Sequence, residues 1–120
     1  MQKSEPVFTI RPELHHIVSE TFARAEKELK QARGTYGMRR QKRACAVGAF
    51  VFYNGNIDPL LPDSLRPQLL PSDIRKAWIE FGSWLCTHYR MNVVRLNDEK
   101  EWTFARFKEE AVKFESSEFF

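Results

Sequence analysis

Ala44-Cys45-Ala46-Val47-Gly48-Ala49-Phe50-Val51-Phe52-Tyr53 carries no charge and no side-chain amide, and how these ten residues are read decides the fold. A segment apolar on every side has no face to offer water, so it belongs at the buried centre, with half-apolar elements packed around it. Its Val, Phe and Tyr content suits a buried strand as well as a buried helix. On a helix, Ala44, Cys45, Gly48 and Ala49 gather on one side while Val47, Phe50 and Val51 form another. A face of small residues lets a neighbouring backbone approach closely, whereas a glycine inside a strand only weakens it. Asn54-Gly55 then stops the helix, and no second strand answers across a hairpin, because residues 57–70 hold three prolines and show no alternation. Helix is the expectation, with an α+β arrangement around a short central strand as the alternative.

Upstream, Val7-Phe8-Thr9-Ile10 is short enough to read as an extended arm. Helix signals begin at Pro12, suited to a first helical position, with Glu13 in the turn that favours negative charge. Leu14, Val18, Phe22, Ala25, Leu29 and Ala32 recur at steps of three and four, which predicts one long amphipathic helix. Glu20 with Arg24 and Glu26 with Lys30 are acid-first pairs on its polar side, and Arg33-Gly34 ends it.

Downstream, residues 56–72 contain Pro59, Pro62, Pro67 and Pro71 among five leucines, too apolar for a free tether and too broken for a helix. They are expected to wrap the core as a fixed loop, with a single turn at Asp63 to Leu65. Ser72 reads as an N-cap for a third helix whose stripe is Ile74, Trp78, Phe81, Leu85 and His88. Met91 to Leu96 reads as a short extended connection, and Asn97-Asp98 as a turn. Thr103 caps the last helix, with Trp102 and Phe107 placed as a hydrophobic staple. Phe104, Phe107, Ala111 and Phe114 form its buried side, and Lys108, Glu109, Glu110, Lys113 and Glu115 its solvated one. Phe119-Phe120 reads as an exposed apolar contact for a partner. The prediction is all-α: one domain over residues 1–120, a compact bundle of about four helices with a proline-rich loop.

At 120 residues the chain is long enough for one modest core without staples, and 42% hydrophobic content with ten Phe and three Trp excludes disorder as a default. The longest uncharged stretch falls well short of the ~20 residues that span a bilayer, and the first residues lack the apolar run of a signal peptide. These features predict a cytoplasmic protein with no membrane contact, in which Cys45 and Cys86 are reduced, buried thiols. The net charge of +3 hides an asymmetry: residues 1–60 hold ten Lys/Arg against six Asp/Glu, residues 61–120 nine against ten. From residue 30 to residue 43 there are six basic side chains, Lys30, Arg33, Arg39, Arg40, Lys42 and Arg43, and no acid. If they share a face they make a positive surface; otherwise they belong to a solvated linker.

Cys45-Ala46-Val47-Gly48-Ala49-Phe50 in the central segment, then Leu96-Asn97-Asp98, then Thr103-Phe104 opening the last helix, resembles a family of small uncharacterised bacterial and phage proteins. Those share a Cys-x-x-Gly-Ala segment, a later Asn-Asp pair and a Thr- or Ser-initiated final helix. The resemblance covers about the second two-thirds of the chain and implies helical structure. It implies no activity.

Three kinds of chemistry are conceivable. Cys45 near a helix start, with His88 and Asp98, has the residue types of a nucleophile, a base and an orienting acid. Against this, the cysteine has apolar neighbours and His88 lies on an apolar stripe. A metal or cofactor is not expected: His15 and His16 are adjacent and point about 100° apart on a helix, the cysteines have no ligand spacing, and the five glycines form no phosphate loop. Nucleic acid is a possible partner for Lys27, the six basic residues and Tyr36, yet the helix that follows is apolar throughout and has no base-reading face. The expectation is a small non-enzymatic protein that binds a macromolecular partner, first of all a protein, through Lys30, Arg33, Arg39, Arg40, Lys42 and Arg43, in the manner of an inhibitor or immunity-like accessory protein. Oligomeric state is open.

Overall fold

The uncharged decapeptide does coil into a helix, and the rest of the chain packs about it. The computed structural model describes residues 15–55, 65 and 70–117. In chain order these form α1 (Ile17–Glu28), β1 (Lys30–Gln31), β2 (Gly37–Met38), a 3-10 turn (Arg39–Gln41), β3 (Arg43–Ala44), α2 (Ala46–Asn54), α3 (Ser72–Tyr89), α4 (Val93–Asp98) and α5 (Phe104–Glu115). The expected arm at Val7 to Ile10, the helix start at Pro12, the turn at Asp63 to Leu65 and the Phe119-Phe120 pair lie outside the described residues, Leu65 apart.

Every residue of α2 from Ala46 to Val51 is buried, and Cys45 caps its start, accepting the Gly48 N–H on Sγ at 3.4 Å. The small-residue face is used as its composition predicts. A Cβ at Gly48 would lie 1.8 Å from the Tyr36 carbonyl oxygen, which also accepts the Cys45 N–H at 3.2 Å. The backbone before β2 therefore rests directly on the helix, a position closed to any larger residue.

The all-α expectation is corrected by a small sheet of order β1-β3-β2, so the fold is α+β. Its middle strand joins the end of the basic run to the first residue of the decapeptide, so Ala44, expected on the helix, is in β3 and Cys45 is the cap of α2. β1 runs parallel to β3 with Lys30 beside Arg43 and Gln31 beside Ala44; β2 runs antiparallel with Gly37 beside Ala44 and Met38 beside Arg43. The first helix correspondingly stops at Glu28, short of the expected end at Arg33-Gly34. Leu29 is extended, the Lys30 N–H donates to the Lys42 carbonyl (2.9 Å) and the Ala32 N–H to that of Ala44 (2.8 Å). Leu29 and Ala32 stay buried, so their apolar spacing is honoured by a different backbone. Gly37 makes the return possible: its φ is +99°, and a Cβ there would meet the Arg43 carbonyl at 2.1 Å.

In the core, α1 lies along α5, and the Phe22 ring sits among those of Trp78, Phe81, Phe104 and Phe107, with centroids 5.4–6.2 Å away. Leu65 and Leu70 of the proline-rich segment are buried there too. Ser72 is the first residue of α3 and not its cap; that position falls to Pro71. The stripe of α3 buries Trp78, Phe81 and Leu85 but releases His88 to solvent. Met91 to Leu96 is not an extended connection. Asn92 accepts the Arg95 N–H at 2.9 Å and starts α4, whose final turn contains Asn97 and Asp98. Thr103 caps α5 through the Arg106 N–H (3.2 Å), and the Trp102 and Phe107 rings meet at 5.2 Å as the staple requires.

Two glutamates expected on the solvated side of α5 are buried. Glu110 is held by Arg106 at 2.8 Å and Lys113 at 3.3 Å. Glu115 accepts the N–H groups of Val18 (2.9 Å) and Ser19 (3.2 Å) on Oε2, a carboxylate from the far end of the chain on the positive end of α1. Among the described residues its Oε1 has no hydrogen-bond donor, and the His16 ring stands 4.0 Å away. Burial pushes the Glu115 carboxyl up, and the bonds from Ser19 and Val18 only partly oppose it. Cys86, expected to be buried, is an exposed free thiol, whereas Cys45 is buried.

Gly48→Ala should lower stability by about 3 kcal/mol, the upper end for forced overpacking, measurable as a large fall in the urea midpoint. For Glu115, the raised folded-state pKa means that the native state holds the proton more tightly than the unfolded chain. Its contribution is therefore greatest at acid pH and declines as pH rises from the ordinary carboxylate range through the raised folded value. Chemical denaturation from pH 4 to pH 8 should show this decline in the wild type and a flatter profile in Glu115→Gln.

Candidate functional site

The fold divides the basic run into two arginines tied to backbone carbonyls, Arg33 exposed and Arg39 half-buried, and an exposed corner. The Arg33 guanidinium turns back onto the end of α4, donating to the carbonyls of Asn97, Trp102 (3.4 Å) and Glu101 (3.2 Å). Arg39 donates to the Phe52 carbonyl at 3.0 Å and lies over the Phe52 ring, 5.3 Å from its centroid. Lys30, Arg40, Lys42 and Arg43 are exposed. Sheet register sets Lys30 beside Arg43 on one side of the β1–β3 pair, and Lys42, left-handed at φ +50°, precedes Arg43 directly. Among the described residues Lys30, Lys42 and Arg43 face no acidic side chain within ion-pair distance. Lys42 also borders a groove with Arg24, Glu28, Leu29, Phe52 and Tyr53, where Tyr53 donates to Glu28 at 2.6 Å. Burial and that carboxylate raise the Tyr53 phenol.

The second feature is a polar junction that the sequence pattern did not reveal. Asn97 is 1% exposed. Its Oδ1 accepts the Ala46 N–H at the start of α2 (3.0 Å) and the Gln31 amide of β1 (2.8 Å); its Nδ2 donates to the Ala32 carbonyl (2.9 Å) and to Asp98 Oδ1 (2.7 Å). Asp98 Oδ1 also accepts the Gly34 N–H at 2.9 Å. Gln31 reaches onward, donating to the Trp102 carbonyl and accepting the Phe104 N–H. The signal that could have found it is Asn92 as a cap: a helix begun there puts Val93, Leu96 and Asn97 on one face.

Beside this junction opens a cavity of about 350 Å³ lined by Gly34, Thr35, Tyr36, Cys45, Val47, Val94, Asn97 and Asp98. Cys45-x-x-Gly48-Ala49 and Asn97-Asp98, the motifs behind the resemblance noted above, thus meet in space. His88 does not join them. Its ring lies tilted against that of Trp84 with centroids 4.0 Å apart and its Nδ1 lies 2.8 Å from the Trp84 carbonyl, in a separate cleft with Glu80, Ser83, Thr87 and Phe114. The Cys45 thiol is pushed up by burial and, more weakly, by the Asp98 charge, while the N–H groups of Gly48 and Val47 pull the other way; the net shift disfavours the thiolate. Cys45 and Asp98 share a cavity, without the imidazole that would make them a catalytic set.

Among the described residues no helix is long and apolar enough to cross a membrane. Compared with protein-family models, curated proteins and solved structures, the chain matches none.

Asn97→Asp keeps the acceptor for Ala46 and Gln31 but turns an oxygen toward the Ala32 carbonyl and Asp98. It should cost about 3 kcal/mol at pH 7 and less at pH 4, where the new carboxyl regains a proton to donate. Lys42→Ala should leave stability within about 0.5 kcal/mol. Urea titrations at both pH values measure all of these.

Proposed function

We propose that this is a small non-enzymatic binding protein that acts by contact with an acidic macromolecular partner, a protein in the first instance, in the manner of an inhibitor or immunity-like accessory protein. The observation that carries the reading is the exposed basic corner of Lys30, Arg40, Lys42 and Arg43. Three of these cations have no acid among the described residues to neutralise them. Fixed positive charge on a sheet and a tight turn is presented in one geometry, which favours encounter and orientation with a negative surface. Arg33 and Arg39, expected in the same patch, are committed to backbone carbonyls. A non-enzymatic role fits a Cys45 thiol that burial keeps protonated, with His88 in another cleft.

The test is capture of partners from nuclease-treated lysate by the wild type and by a variant carrying Lys30→Glu, Arg40→Glu, Lys42→Glu and Arg43→Glu. A protein retained by the wild type and lost, or held at least tenfold more weakly, by the variant is the expected result. Retention by both removes the basic corner as the binding surface. A wild-type signal that disappears with nuclease treatment makes nucleic acid the partner.

A further inference from the structure

The cavity beside Asn97 shares no residue with the basic corner, and its chemistry is the opposite. None of its described lining residues is Lys or Arg; its one formal charge is the Asp98 carboxylate. Asp98 accepts hydrogen bonds from Gly34 and Asn97 on Oδ1 but has no cationic partner among the described residues. It also stands in the last turn of α4, where the helix dipole opposes negative charge instead of stabilising it. The remaining walls are Val47, Val94, Tyr36 and the protonated Cys45, with the Thr35 hydroxyl nearby.

A second observation points to an occupant. Four large hydrophobic side chains are left exposed among the described residues, and two of them, Tyr36 at 38% and Val94 at 44%, line this one cavity. Apolar groups held at the mouth of a concave, mostly apolar space, with one or two convergent polar groups inside, are the make-up of a small-molecule site, and about 350 Å³ is at the small end of that range. The Tyr36 ring adds a face that attracts positive charge. The walls are also rigid: Gly34 is tied to Asp98, Cys45 to Gly48, and the Tyr36 carbonyl to Cys45.

We infer that this cavity binds a small organic cation, an ammonium group on a compact apolar body, with the ammonium on Asp98 and the body against Val47, Val94 and Tyr36. The site stands independently of the basic corner and of whatever that corner engages.

Benzylamine is a suitable probe, with benzyl alcohol and benzoate as its neutral and anionic counterparts, titrated into the full chain and followed by amide chemical shifts. Saturable shifts at Gly34, Thr35, Tyr36, Val47 and Val94 are expected with benzylamine, at least tenfold weaker with benzyl alcohol and absent with benzoate. Asp98→Asn should reduce benzylamine affinity about tenfold or more. Because Asp98 also holds Gly34, a second variant, Val94→Lys, leaves the junction intact and places a competing ammonium at the mouth; it should weaken benzylamine equally. Absence of saturable shifts, equal binding of amine and alcohol, preference for benzoate, or undiminished binding by Val94→Lys overturns the assignment.

Discussion

One buried primary amide, that of Asn97, is the interaction on which this architecture depends. Three elements end at the same place: β1 finishes at Gln31, α2 starts at Ala46 and α4 finishes at Asp98. An element's end leaves backbone groups with no partner inside that element, and burying them unpaired costs more than a hydrogen bond returns. An amide is the side chain that supplies both a donor pair and an acceptor from one rigid plane. Here it takes the first N–H of α2 and gives to the carbonyl just after β1. Gln31 and Arg33 deal with the next tier, the carbonyls and N–H between α4 and α5. Asn97 is therefore a splice between segments, and every side-chain hydrogen bond it makes except that to Asp98 spans more than 50 positions.

That splice also separates the two surfaces. Arg33 is tied to carbonyls at the α4 terminus, and Asp98, fixed against Gly34, leaves a carboxylate facing a cavity with no described basic residue in its lining. The positive corner and the negative cavity share no residue: Arg43 of β3 belongs to the first, while Cys45, which begins α2, lines the second. A protein with a net charge of only +3 thus presents two regions of opposite sign that its total charge does not disclose.

The helices were legible wherever apolar spacing and caps coincided. Thr103 with the Trp102–Phe107 staple identified α5, and the small-residue side of the decapeptide predicted the close approach at Gly48 that the Tyr36 carbonyl makes. The sheet was illegible because two-residue strands have no period to read; Lys30-Gln31 and Arg43-Ala44 are strands only because each supplies the other's partners. Helical spacing likewise overran into Leu29 and Ala32, since burial is compatible with either backbone there. Glu110 and Glu115 were misread for a related reason. Charge on a helix predicts water; Glu110 is instead neutralised by Arg106 and Lys113, four and three positions away on its own helix, while only tertiary packing brings Glu115 to the start of α1. Of the candidate site residues, exposure at Lys30, Arg40, Lys42 and Arg43 followed from charge. The capture of Arg33 and Arg39 by backbone carbonyls distant in sequence is announced by no local pattern.

The bond between Glu115 and the opening amides of α1 spans 97 positions. During synthesis, residues 17–28 leave the ribosome when the group that completes their helix has not yet been translated, and at ordinary elongation speeds they wait several seconds for it. A twelve-residue helix without its cap or its packing partner is marginal in water, so the amino-terminal third of the chain stays uncommitted until the last helix arrives. Folding is thereby made a single late event, and a ribosome that stalls before residue 104 leaves a chain whose Phe22 has neither the Phe104 nor the Phe107 ring to cover it.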